Sequence, residues 1–208
     1  MKIPHPRNKL IRRLLGYISA IVCFFLIRLD VKGRKNLPKN GPYIIAPNHI
    51  DNIDPFPLTA AIKKPVTYLM AEDLNPLKWY EAWGPWSYGV LLVNRKKIQL
   101  STIKALHKQI KKGETVCIFP EGTAIGSKLK RAKNGAAFFA ARHKIPIIPT
   151  AIAGTNKALK NLKNLKRTKV SIEFGVAIQT QKEDQNNIDA LTSKVMYSIE
   201  RMLPKEYV

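Results

Sequence analysis

From Tyr43 onward, short β-branched or aromatic runs alternate with stretches in which apolar residues return every three or four positions. The runs that read as strands are Tyr43 to Ala46, Val66 to Met70, Val90 to Val93, Val116 to Phe119, Ile147 to Ala153 and Lys169 to Phe174. Ser101 to Lys112 places Ile103, Leu106 and Ile110 on one helical face, with Ser101 as N-cap and Gly113 just past the end. Gly135 to His143 predicts a second helix, rich in alanine and therefore able to lie close on a sheet, with a basic C-terminal end that suits the helix dipole. A closing helix carries the stripe Ile188, Leu191, Val195, Ile199 and Met202. Strands and helices in this alternation predict an α/β fold with a largely parallel sheet.

Two segments depart from that rhythm. Leu14 to Ile27 is a run of 14 residues without charge, bounded by Arg12, Arg13 and Arg28. Spanning a bilayer takes about 20 apolar residues, so the run suits a helix lying in the membrane interface or a hairpin dipping into one leaflet. A signal peptide or a buried core helix are the alternatives; no small-residue cleavage site follows the run, and flanking arginines suit phosphate head groups. The expected division is a membrane-associating segment over 1–35 and a single compact domain over 36–208. In the second segment, Lys157, Lys160, Lys163, Lys166 and Lys169 recur every third residue, with Leu159, Leu162 and Leu165 just before the middle three. It reads as a basic surface with apolar teeth, or as a solvated charge run between strands.

Charge sharpens this picture. The 208 residues contain 36 Lys and Arg against 14 Asp and Glu, a net charge of +22, which calls for a polyanionic partner: an anionic membrane surface or a nucleic acid. The apolar N-terminal run and the lack of a nucleic-acid motif favour the membrane over any specific nucleic acid. Cys23 and Cys117 sit in apolar runs without metal-ligand spacing, so they read as reduced, buried thiols.

The string Pro47-Asn48-His49-Ile50-Asp51-Asn52-Ile53-Asp54-Pro55 follows the first strand of the domain, where α/β folds keep their active sites. Histidine can take and return a proton near neutrality, provided a carboxylate orients its ring. Asp51 and Asp54 are both near enough in sequence. Pro55 disfavours a helical Asp54, which predicts an extended Asp54 at the N-cap of a helix that Pro55 opens. On one continuous helix His49 and Asp54 would point about 140° apart, so His49 must lie in a loop for the two to meet.

Asn48-His49-x4-Asp54 resembles the first motif of the glycerolipid acyltransferase family, which includes the lysophosphatidic acid and glycerol-3-phosphate acyltransferases. Gly89 to Arg95, Phe119 to Thr123 and Ile145 to Pro149 resemble the second, third and fourth, in the family's order. The resemblance implies a glycerol-3-phosphate acyltransferase-like fold, a mixed and largely parallel sheet flanked by helices, with an N-terminal membrane-interfacial helix. It also implies O-acyl transfer onto a lysophospholipid, lysophosphatidic acid in the first instance, by an enzyme at the cytoplasmic face of the membrane. The donor would be acyl-CoA or acyl carrier protein as co-substrate, with neither metal nor cofactor. By that analogy His49 and Asp54 are catalytic, and Asn48, Arg95, Glu121, Gly122 and Thr123 bind substrate. A guanidinium such as Arg95 suits bidentate binding of phosphate. The alternatives are a different glycerolipid or lysolipid acceptor and, more remotely, a non-catalytic basic protein that binds membranes or nucleic acid. Many family members place arginine and serine after the threonine of the third motif, whereas this chain has Ala124 and Ile125. A phosphate-binding cation is then either missing or supplied by Lys128, Lys130, Arg131 or Lys133.

Overall fold

The computed structural model describes residues 8–71, 87–94, 100–122 and 128–208. Among them a seven-stranded sheet forms from β1 (Ile27–Lys32), β2 (Ile44–Pro47), β3 (Val66–Ala71), β4 (Leu91–Val93), β5 (Thr115–Cys117), β6 (Ile147–Ala153) and β7 (Thr168–Phe174). The strand order is β1-β7-β6-β2-β5-β3-β4, and every pairing is parallel except β6 with β7. The largely parallel sheet expected from the alternating pattern is therefore present. The helices are α1 (Lys9–Leu26), α2 (Pro55–Ile62), α3 (Leu100–Lys111), α4 (Gly135–His143), α5 (Thr155–Lys163) and α6 (Ile188–Met202).

The central strands β2, β5 and β6 are buried on both faces, and their side chains alternate between two cores. Ile44 and Ala46 of β2 face Leu106 of α3, the alanines of α4 and Ile199 of α6. Tyr43 and Ile45 face the other way, onto Leu58 and Ala61 of α2. The stripe Leu191, Val195 and Ile199 of α6 is buried as its spacing predicts. Ile147 and Ile148, in the segment resembling the fourth motif, are fully buried strand residues.

Two segments differ from the sequence reading. β1 lies inside the N-terminal stretch taken as a membrane segment, yet it pairs with β7 from Ile27 opposite Thr168 to Lys32 opposite Glu173. The lysine-repeat segment is a nine-residue helix, α5, followed by a turn into β7. Ala158 is buried in a cluster with Cys23, Ile27, Ala60 and Val170 of β7, while Lys160, Lys163 and Lys166 remain exposed.

Helix α1 is turned inside out relative to a core helix. Its buried positions are Arg12, Ser19 and Cys23. Ser19 donates to the carbonyl of Phe56 at 2.9 Å, and Gly16 lies against Thr59, so small and polar residues face α2. Leu14, Tyr17, Ile21, Phe24 and Phe25 are all more than half exposed. Arg167 donates to the carbonyls of Phe24 and Ile27 and so closes the end of α1 against β7. No helix among the described residues is long and apolar enough to cross a membrane.

Candidate active site

Parallel pairing puts the C-terminal ends of β2, β5 and β6 at one edge of the sheet. The loop after β2 carries His49, and the loop after β5 carries Phe119 to Gly122. Their adjacency is a consequence of strand order: residues 72 positions apart in the chain meet because β2 and β5 are neighbours.

Nδ1 of His49 lies 2.8 Å from Oδ2 of Asp54. That same oxygen accepts the main-chain N–H of Ile50 at 2.8 Å and of Asp51 at 3.0 Å. Asp54 is fully buried and His49 keeps 15% of its side chain exposed, so the dyad has a dry end and an open end. Asp51 is not the partner; its carboxylate accepts the N–H of Ile53. Asp54 does stand at the N-cap of α2, with Pro55 opening the helix, but its backbone is helical (φ −49°, ψ −37°) rather than extended, and its side chain does not cap. The loop turns before the proline, with the Asp54 N–H bonded to the Asp51 carbonyl at 3.0 Å, and three donors on one carboxylate oxygen outweigh the steric preference that proline imposes.

The His49 ring is also stacked on Phe119, centroid to centroid 4.0 Å with 26° between planes. Phe119 opens the segment that resembles the third motif, and its contact with His49 comes from the adjacency of β2 and β5 rather than from local spacing. With the carboxylate on one edge and an aromatic face against the ring, the imidazole is held in one orientation and Nε2 is the nitrogen left for a substrate.

Asn48, expected among the substrate-binding residues, is 3% exposed and turned into the sheet. Its amide donates to the carbonyl of Ile152 at 2.9 Å and accepts the N–H of the same residue at 2.7 Å, continuing the β2–β6 ladder one residue beyond the strand. Glu121 is likewise 6% exposed. One carboxylate oxygen accepts the N–H of His49 at 2.8 Å, the other the N–H of Lys130 at 2.9 Å. Burial pushes its carboxyl above the usual range, and those two N–H groups pull the other way. Gly122 has φ +72°, a conformation that suits glycine, and its N–H is engaged by the Phe119 carbonyl at 3.1 Å, so that N–H is not free to hold an oxyanion. Arg95 and Thr123, also expected to bind substrate, lie outside the described residues, as do Ala124 and Ile125. Both cysteines are buried free thiols.

Residues 28–153 match the family model described as "Acyltransferase". A probable 1-acyl-sn-glycerol-3-phosphate acyltransferase of Mycoplasma pneumoniae is 26% identical over 188 residues, covering 85% of this chain and 67% of that protein. The 1-acyl-sn-glycerol-3-phosphate acyltransferase of Bacillus subtilis is 30% identical over 139 residues, covering 65% of this chain and 69% of that one. Among solved structures, the 1-acyl-sn-glycerophosphate acyltransferase of Thermotoga maritima superposes with a TM-score of 0.61 at 18% identity, over 93% of this chain and 80% of that chain, which establishes a shared fold.

Proposed function

The chain belongs to the Acyltransferase family, and from that premise we propose that it acylates the sn-2 hydroxyl of lysophosphatidic acid from an acyl thioester, acyl-CoA or acyl carrier protein, to give phosphatidic acid. The observation that carries the chemistry is the 2.8 Å contact between Nδ1 of His49 and the buried carboxylate of Asp54. It fixes the tautomer in which Nε2 is unprotonated and basic. Nε2 takes the proton of the acceptor hydroxyl as that oxygen attacks the thioester carbonyl. The tetrahedral intermediate then collapses, the C–S bond breaks, and the imidazolium returns its proton to the departing thiolate. Asp54 stays ionised throughout and stabilises the imidazolium.

The other residues divide by what they touch. Asn48 and Glu121 act as positioning residues, the first by tying the His49 loop to β6, the second by holding the His49 N–H. Arg95, Gly122 and Thr123 bind substrate by family resemblance. The exposed apolar side of α1 docks on an anionic membrane surface, and Phe56, 56% exposed and two residues from Asp54, adds an apolar side chain close to the site. Both donors are met on the cytoplasmic side, which supports action at that face of the membrane.

The test is transfer of labelled acyl from acyl-CoA, and separately from acyl carrier protein, onto a panel of lysolipids by detergent-solubilised protein and by His49→Ala. Transfer to lysophosphatidic acid is expected and should vanish in the variant. Folded wild-type protein that acylates none of the panel would overturn the enzyme reading.

A further inference from the structure

The segment from Lys128 to Lys133 carries four cations in six residues, Lys128, Lys130, Arg131 and Lys133. It is not a free loop. The N–H of Lys130 is bonded to the Glu121 carboxylate at 2.9 Å, and the N–H of Lys133 to the Pro120 carbonyl at 2.8 Å. Leu129 is pinned from the other side, its N–H to the carbonyl of Tyr207 at 2.8 Å. The segment is thus a strap drawn across the turn that follows β5, and the same carboxylate that holds it holds His49.

Gly122 shows where the strap's charge lies. A β-carbon built on Gly122 would stand 3.4 Å from Cε and 3.5 Å from Nζ of Lys133. The ammonium therefore sits over a residue with no side chain, one position from Glu121. Lys128, Arg131 and Lys133 are exposed and have no carboxylate at ion-pair distance among the described residues. The nearby carboxylate of Glu121 is buried and already accepts two N–H groups, so it does not neutralise Lys133 by direct pairing. Exposed lysines that pair with carboxylates do occur elsewhere, as Lys157 with Glu206 and Lys169 with Asp30. An unpaired ammonium, backbone-anchored beside the catalytic histidine's loop, suits an anionic ligand.

We propose that Lys133, presented by this strap, binds a phosphate group of a substrate, in the first instance the phosphomonoester of the acceptor. The inference rests on the acyltransferase reading above and deepens it. The strap supplies a cation from eleven residues beyond Gly122, where position 124 is alanine. One charge-assisted contact between an ammonium and phosphate corresponds to about tenfold in binding, more where water is excluded.

Lys133→Gln, Lys133→Arg and, as a distant control, Lys182→Gln would be assayed with lysophosphatidic acid and with monoacylglycerol, varying acyl-CoA separately. Thermal unfolding would be followed in parallel with glycerol 3-phosphate as a soluble probe. Expected for Lys133→Gln is a KM for lysophosphatidic acid raised about tenfold, with kcat and monoacylglycerol transfer within twofold, and loss of the stabilisation that glycerol 3-phosphate gives the wild type. Lys133→Arg and Lys182→Gln should resemble wild type. A rise in the acyl-CoA KM instead would support the phosphate site and assign it to the donor. Unchanged KM values and an unchanged glycerol 3-phosphate response would overturn the proposal. Wild-type protein that acylates nothing yet loses its glycerol 3-phosphate response in Lys133→Gln would sink the reaction and leave the phosphate site standing.

Discussion

Replacing Asp54 by asparagine removes a charge while keeping the shape of the side chain. Oδ2 of Asp54 collects three donors, the His49 ring and the N–H groups of Ile50 and Asp51, in a position with no solvent exposure. An asparagine oxygen can still accept from the two main-chain groups, so the loop should hold its course. What is lost is the attraction between a carboxylate and an imidazolium that exists only once His49 has taken the substrate proton. Two unit charges about 4 Å apart at an effective dielectric near 20 interact by about 4 kcal/mol. At 1.36 kcal/mol per factor of ten, this corresponds to about three orders of magnitude in kcat, inside the range of about 10² to 10⁴ ascribed to general acid–base catalysis. The ground state has a neutral ring, so the acceptor KM should stay within about twofold. The assay is steady-state transfer from acyl-CoA to lysophosphatidic acid in mixed micelles, with circular dichroism confirming the fold of Asp54→Asn. A kcat within fivefold of wild type, or a defect confined to KM, would refute the assignment of Asp54 as the group that stabilises the imidazolium.

Glu121→Gln separates holding from binding: loss of the tie to the His49 N–H should lower kcat about tenfold with little change in the acceptor KM, whereas a residue that contacts acceptor hydroxyls would raise KM. The same variant removes a pH slope, because a carboxyl held above its usual value of 4.5 favours the folded state most in acid and that advantage fades as pH rises through the raised value; urea melts of both proteins from pH 4 upward measure it. Arg12, 1% exposed on α1, reaches Glu114 at 3.2 Å and lies 5.3 Å from the Tyr88 ring centroid, while its Nε and Nη2 have no partner among the described residues. Arg12→Ala should destabilise the protein by about 3 kcal/mol, and Arg12→Met by less, since an apolar chain fills the space without an unpaired guanidinium; chemical unfolding in detergent measures both, and equal stability of Arg12→Ala and wild type would show that the pair does not fasten α1.

Much of this architecture is legible in the pattern of the chain because the central strands are buried on both faces and read as short apolar runs bounded by glycine and proline. β1 is harder. Ile27, Leu29 and Val31 do alternate with Arg28, Asp30 and Lys32, but the uncharged run before them hides where the helix stops. In α5 six of nine residues are polar or charged, so local periodicity says surface, while buried Ala158 ties the helix to the cluster that includes Val170 of β7. The His49–Asp54 pair is foreseeable from a six-residue window. Asn48 and Glu121 are not, since their partners, Ile152 and Lys130, become neighbours only when sheet register and the strap's path are known. A residue beside the His49–Asp54 pair invites a substrate role, whereas the side chain of Asn48 is engaged by β6.

The pairing of β1 with β7 also orders events in time. Ile27 leaves the ribosome roughly 140 residues before its partner Thr168 is made. At about 5–20 residues per second this delay is on the order of ten seconds. During it β1 has no partner strand, while α2, on which α1 packs through Ser19 and Gly16, is already made. If α1 docks on a lipid surface as proposed, the biosynthetic order lets that contact form before β1 gains its partner strand.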